Sequence, residues 1–184
     1  NGSAISAGRF DQYIYPYYKK DLDENKITRD EAQELLEALF VQHSDIIKAG
    51  TFSSVRNNGG FATTIHLTLS GEDEDGKDAT NEFTYLCLEA DRNVFNSEPN
   101  IGIRVSSNTP DAVIEAALEN LVVREGGKYP IFNDDAIINA LKDDGVSPLD
   151  AQDYSVVGCV EPTPSGNTMG LTNACFFNVA KCLE

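Results

Sequence analysis

Cys159 and Glu161 stand two apart in the segment Gly158-Cys-Val-Glu-Pro162, and their types and spacing are those of a reacting pair. In an extended segment residues two apart point the same way, so thiol and carboxylate would face one cavity. A carboxylate beside a thiol raises the thiol's pKa and disfavours the thiolate. An ionic cysteine nucleophile needs the opposite surroundings, a histidine, a cation or a helix N-terminus. The pair suits chemistry in which sulfur reacts uncharged while the carboxylate handles a proton, and hydrogen-atom transfer by a sulfur radical is one such chemistry. A structural cysteine near a surface glutamate fits the same two residues, since free cysteine is so often buried. An ionic hydrolase would require His66 within hydrogen-bonding reach of Cys159.

The elements around the pair follow from pattern. Tyr154 to Val160 reads as a strand buried on both faces, as in a parallel sheet, with the pair beyond its carboxyl end where α/β folds place ligands. Pro162 is expected to end the pairing, and Gly158 to let the backbone approach a neighbour closely. Upstream, "ITRDEAQELLEALFVQHSDIIKAG" predicts a helix, with Thr28 and Glu31 as a capping box and Gly50 as its stop. His43 on that helix is a surface or boundary residue. The run 63–69 reads as a strand, and Phe83, Leu86, Cys87 and Ala90 share one helical face, which makes Cys87 a core thiol.

"NIGIRVS" and "YPIF" predict two further strands. Between them, Thr109 is expected to cap a helix with Pro110 in its first position and Asp111 near its positive end. "NDDAIINALKDDG" predicts a helix capped by Asn133, and "SPLDAQD" another helical turn. "GRFDQYIYPYYKKD" gathers Phe10, Tyr13, Tyr15, Tyr17 and Tyr18 around Pro16, an aromatic wall over a core edge. Strands alternating with helices at this pitch indicate an α/β fold with parallel pairing.

Composition narrows the function. Fourteen Lys and Arg against 30 Asp and Glu give a net charge of -16, which repels nucleic acid and anionic membrane surfaces. No apolar run approaches the roughly 20 residues of a membrane span, so the cytoplasm is the expected location. Four cysteines without a CxxC, and two distant histidines, make a poor zinc pattern and a poor secreted disulfide framework. The acidic loop "GEDEDGKDATNE" fails as a calcium loop, because with Gly76 in the sixth position Gly71 falls where the first carboxylate belongs. Cys175 and Cys182 are spaced as core residues of one C-terminal helix.

"VVGCVEP", followed by a glycine-containing loop and "ACFFNVAKCLE", closely resembles the cysteine loop of glycyl radical enzymes of the pyruvate formate-lyase-like superfamily. "GRFDQYIYPYYKKD", "ITRDEAQELLEALF", "DGKDATNEFTYLCLEA", "PNIGIRV" and "FND" are similar to successive family segments in the right order, so the resemblance covers essentially the whole chain. It implies an α/β fold that is part of a ten-stranded α/β barrel, with parallel half-barrel strands, flanking helices and the cysteine loop at the centre. Residues 1–184 would be one partial domain, the central portion of the catalytic domain, without the glycyl radical domain.

In that resemblance Cys159 would form a thiyl radical that takes hydrogen from a small substrate, and Glu161 would be the general base. Phe61, Thr64, His66 and Asn173 are the substrate-binding candidates; a strand histidine such as His66 is more often a packing residue. Cys159 is followed by Val160, whereas pyruvate formate-lyase carries adjacent cysteines, which disfavours acetyl transfer. Asn173 stands where some dehydratases place an aspartate, and an amide cannot carry that proton.

The expected function is that of a glycyl radical lyase or dehydratase in anaerobic metabolism, with no metal or cofactor bound by this chain. The glycyl radical would lie elsewhere in the full-length protein, and this chain alone would be inactive. Expected partners are a small-molecule substrate, a radical S-adenosylmethionine activating enzyme and a second copy in a homodimer. The alternatives are a noncatalytic α/β binding or scaffold module and a formate acetyltransferase-like activity.

Overall fold

In a computed structural model the described residues are 4–46, 52, 56, 64–125, 128–167 and 180–182. Four strands, β1 (Ile5–Arg9), β2 (Ile65–Ser70), β3 (Asn100–Val105) and β4 (Ile131–Asn133), form one sheet in chain order, every pairing parallel. Between them run α1 (Phe10–Asp23), α2 (Arg29–Asp45), α3 (Glu82–Val94) and α4 (Asp111–Val123). After β4 come α5 (Asp134–Asp143), a short α6 (Pro148–Gln152) and a hairpin of β5 (Tyr154–Val157) and β6 (Glu161–Pro164). None of the described helices is long and apolar enough to cross a membrane.

The helix starts are built as the sequence predicts, with one exception. At α2, Thr28 Oγ1 accepts the Glu31 N–H at 3.2 Å while Glu31 Oε2 accepts the Thr28 N–H at 2.8 Å, a complete capping box. Asn133 Oδ1 accepts the Ala136 N–H at the start of α5. At α4 the cap position is held by Pro110, and Thr109 instead accepts the Ser106 N–H at 2.9 Å, closing the turn that leaves β3. The aromatic segment forms α1, with Pro16 inside it. Phe10 and Tyr18 face inward onto Phe83, with ring centroids 5.8 and 5.2 Å away, while Tyr13 and Tyr17 are exposed. Tertiary packing of those rings outweighs the poor local helix signal that proline gives.

The two faces of the sheet differ in chemistry, and that difference positions the site. Ile65, Leu67 and Leu69 of β2 alternate outward with Ile101 and Ile103 of β3, and all five are buried under the helices with Leu36, Phe40, Leu86 and Cys87. The core environment pushes the Cys87 thiol well above its ordinary pKa, first through burial. On the opposite face stand His66, Thr68 and Ser70 of β2, Gly102 and Arg104 of β3 and Phe132 of β4. The alternation of a strand puts polar side chains on this face, yet none is exposed. The hairpin covers them, with a second apolar cluster of Phe132, Ile138, Ala151, Tyr154 and Val156 beneath it.

Candidate active site

The segment that carries Cys159 and Glu161 is a hairpin, which corrects the expectation of a parallel strand from Tyr154 to Val160. β5 and β6 pair antiparallel as a separate two-stranded sheet, with Val157 opposite Glu161 and the turn made by Gly158, Cys159 and Val160. Pro162 does not end the pairing. It lies opposite Val156, and Pro164 opposite Tyr154. The backbone groups of Tyr154 and Val156 are taken by side chains of the main sheet, so these are the non-hydrogen-bonded positions, where a missing N–H is harmless.

Those side chains form a clamp along β5. Arg104 donates to the Tyr154 carbonyl at 3.0 Å, Ser6 Oγ to the Val156 carbonyl at 2.7 Å, and Thr68 Oγ1 accepts the Val156 N–H at 2.9 Å. His66 Nδ1 lies 3.0 Å from the Gly158 carbonyl oxygen. Three strands of the parallel sheet therefore hold every second residue of β5. Tyr154 is level with Arg104 near the carboxyl end of β3, and Gly158 with His66 near the amino end of β2. β5 thus runs against the parallel strands, and the thiol sits toward their amino ends, opposite to the carboxyl-end placement expected. The cause is local: α6 delivers the chain at the carboxyl end, where Arg104 also binds the Gln152 carbonyl at 3.0 Å.

Arg104 anchors the base of this hairpin. It pairs with Asp134 through Nε to Oδ1 at 2.8 Å and a terminal nitrogen to Oδ2 at 2.9 Å, both side chains wholly buried. Its guanidinium lies 4.0 Å from the centroid of the Tyr154 ring, and the Tyr154 hydroxyl donates to Asp134 at 2.7 Å. Gly71 makes room for it, since a Cβ there would fall 2.6 Å from the Arg104 Nε.

At the tip, Cys159 is exposed and makes no hydrogen bond among the described residues. Glu161 is half-buried and its Oε2 accepts the N–H of Val160 at 2.9 Å, so the carboxylate curls back over the turn. Gly158 has φ +63°, and a Cβ on it would lie 2.8 Å from that same oxygen. Glycine is required here both for the left-handed backbone and for the carboxylate's seat. The thiol thus lies in the three-residue turn and the acid on the first residue of β6, which closes it, rather than both on one face of an extended strand.

His66 is fully buried beneath the turn. A carbonyl only accepts, so the bond to Gly158 places the proton on Nδ1, and Nε2 is left buried with no partner among the described residues. Burial drives the imidazole pKa down to about 4, partly offset by the Gly158 bond and the negative charge of Glu161, so the ring is neutral near pH 7. No hydrogen bond joins His66 to the Cys159 thiol, and the ionic hydrolase reading falls with it. Thr64, just before β2, holds a left-handed φ of 51°, uncommon for a β-branched residue. Its N–H and that of Ile65 donate to the two oxygens of buried Glu98 at 2.9 and 3.1 Å. Phe61 and Asn173 lie outside the described residues, as does Cys175, while Cys182 is exposed in a 3-10 turn, Ala180–Cys182.

Sequence reasoning missed Ser6, Thr68, Glu98, Arg104 and Asp134. Arg104 alone carried a signal: an arginine inside the apolar run "NIGIRV" must find a buried partner. Among the described residues no group of three or more His, Cys, Asp or Glu could hold a metal ion. The acidic loop after β2 uses its carboxylates internally, Asp73 accepting the N–H groups of Asp75 and Lys77 and Asp75 pairing with Lys77.

Comparison with known proteins shows the family and the fold. The chain is 37% identical over its whole length to (2S)-3-sulfopropanediol dehydratase of Klebsiella oxytoca and 33% identical to isethionate sulfite-lyase of Nitratidesulfovibrio vulgaris. It spans about a fifth of either relative, 22% of the length in each case. A crystal structure of a glycyl radical enzyme from Archaeoglobus fulgidus superposes with a TM-score of 0.82 at 38% identity, covering 89% of this chain and 21% of that one. The parallel sheet with its outer helices is thus part of the α/β barrel of such enzymes. The family model described as pyruvate formate lyase-like matches residues 1–184, and the chain belongs to that family.

Proposed function

We propose that this chain carries the hydrogen-abstracting thiol and its partner base in a glycyl radical lyase, with Cys159 as the thiol and Glu161 as the base. The observation that carries the reading is the turn itself: an exposed thiol and a carboxylate held together at the tip of a hairpin that three strands clamp in place. The relatives' names, dehydratase and sulfite-lyase, support a reading in which the reaction is an elimination from a small oxygenated molecule.

In this reading Cys159 gives its hydrogen atom to a glycyl radical supplied from elsewhere in the complete enzyme. The sulfur, now one electron short, takes a hydrogen atom from a substrate carbon and regains its S–H bond. Glu161 accepts the proton of the hydroxyl on that carbon as the neighbouring substituent leaves with the bonding electron pair. The resulting carbonyl-stabilised product radical takes the hydrogen atom back from Cys159. When the leaving group is hydroxide, the proton on Glu161 goes to it and water departs, so atoms and electrons balance. A sulfur that reacts as an uncharged radical needs no cationic partner, in keeping with a thiol that has no histidine bonded to it.

The complete enzyme would need an activating protein of the radical S-adenosylmethionine type to install the glycyl radical. Cys159→Ala in the complete, activated enzyme is expected to abolish turnover while leaving the glycyl radical signal measurable by electron paramagnetic resonance. Normal turnover by that variant would falsify the assignment.

A further inference from the structure

We infer that His66 is a positioning residue for the reacting thiol, holding the turn in register through the carbonyl of Gly158 in its neutral, Nδ1-protonated form. The inference rests on the reading of Cys159 as the hydrogen-abstracting residue.

The bond acts on the right peptide. The Gly158 carbonyl belongs to the peptide plane that also contains the nitrogen and Cα of Cys159, and that plane is rigid. A donor fixed 3.0 Å from this oxygen therefore fixes the atom from which the thiol hangs. On its other side the turn is closed by Glu161 accepting the Val160 N–H at 2.9 Å. Cys159 lies between these two restraints, and no hydrogen bond acts on its own side chain among the described residues.

The donor is itself immobilised. The imidazole has no exposed surface, and its Nε2 rests against Gly102, where a Cβ would come within 2.3 Å of the nitrogen. The edge of Phe132 packs across it, with ring centroids 6.0 Å apart and planes at 67°. Asn100, Gly102 and Phe132 on the neighbouring strands bring no charge to the ring, and Glu161 is the charged group that acts on it. The same packing leaves Nε2 as a buried acceptor with no partner among the described residues, at a cost in stability. An apolar side chain would fill this space without that cost, so filling space does not account for histidine here; a donor aimed at Gly158 does.

Asparagine supplies the test, because its amide nitrogen hangs from Cγ as Nδ1 of histidine does and it lacks the stranded Nε2. In the complete, activated enzyme His66→Leu is expected to lower kcat by about 100-fold, the scale of a misplaced reacting group, with KM and glycyl radical content little changed. His66→Asn should restore kcat to within about threefold of the parent. Full kcat in His66→Leu, or no rescue in His66→Asn, overturns the inference. Nitrogen-15 spectra of histidine-labelled protein need no variant at the turn, and within these 184 residues the only other histidine is His43. They should show the Nδ1-protonated tautomer at His66 near neutral pH; the Nε2-protonated form or an imidazolium overturns the inference as well. An active Cys159→Ala enzyme would instead sink the role of the thiol, while leaving the tautomer result standing.

Discussion

Replacing Arg104 by methionine should release the base of the hairpin, and its cost can be worked from the structure. The substitution keeps an apolar stem against Tyr154 but removes two charge-assisted bonds to Asp134, at 2.8 and 2.9 Å, and one each to the Tyr154 and Gln152 carbonyls. Breaking a buried ion pair from one side costs about 3–5 kcal/mol, because the remaining charge is uncompensated. Asp134 keeps the Tyr154 hydroxyl at 2.7 Å and the Glu72 N–H at 3.0 Å, which pulls the cost toward the lower end. The buried Tyr154 carbonyl loses a partner and adds about 1–3 kcal/mol. The expected loss is about 4 kcal/mol, a large share of the stability of an ordinary domain.

Urea denaturation followed by far-ultraviolet circular dichroism measures it, with tyrosine emission as a second probe of unfolding, since the chain has seven tyrosines and no tryptophan. Adding Asp134→Asn to Arg104→Met removes the stranded charge and should recover at least about 1 kcal/mol, the non-additivity expected of a coupled pair. A loss below about 1 kcal/mol for Arg104→Met, or a double variant no more stable than the single, would refute the view that this pair pins the hairpin.

Three further outcomes follow from the same geometry. With its folded pKa lowered to about 4 against about 6.5 unfolded, His66 binds more protons in the unfolded chain between those values, so stability is full above pH 6.5. It should fall by about 3 kcal/mol as pH drops from there to about 4, a slope that His66→Asn removes; identical pH dependence in the two proteins would count against the burial of a neutral ring. Gly158→Ala forces a Cβ to 2.8 Å from Glu161 Oε2 and a left-handed alanine, so it should cost about 1–2 kcal/mol in a denaturation titration and displace the carboxylate. Unchanged turnover in the complete Gly158→Ala enzyme would show that the curled carboxylate is not needed. Gly102→Ala, pressing on His66 Nε2 and on Phe132 at 2.8 Å, should cost about 1–3 kcal/mol in the same assay, and a neutral result would mean that the imidazole has room to move.

Much of the outer shell was legible in the residues because its causes are local. The capping box of Thr28 and Glu31, the Asn133 cap and the shared face of Phe83, Leu86, Cys87 and Ala90 each depend on groups within a turn or two of one another. The α/β alternation and the parallel pairing of β2 to β4 followed from that spacing, whereas β1 and the strand order did not. A local signal also misled: Thr109 was drawn away from its cap by the Ser106 N–H.

Cys159 and Glu161 divide along the same line. From types and spacing alone, Cys159 and Glu161 could be named, their ionic chemistry discounted, and a radical role supplied by the resemblance of the surrounding segments. Their geometry was decided elsewhere in the chain. Whether Tyr154 to Val157 joins a parallel sheet or turns back as a hairpin depends on who meets its backbone, and those partners are Ser6, 150 residues away, Thr68, 88 away, and Arg104, 50 away. A strand carries no local hydrogen bonds of its own, so its partner, direction and register exist only once distant side chains arrive, whereas a helix closes its bonds within four residues. Tertiary structure therefore put the thiol on a hairpin tip toward the amino ends of the strands, with a buried neutral imidazole beneath it.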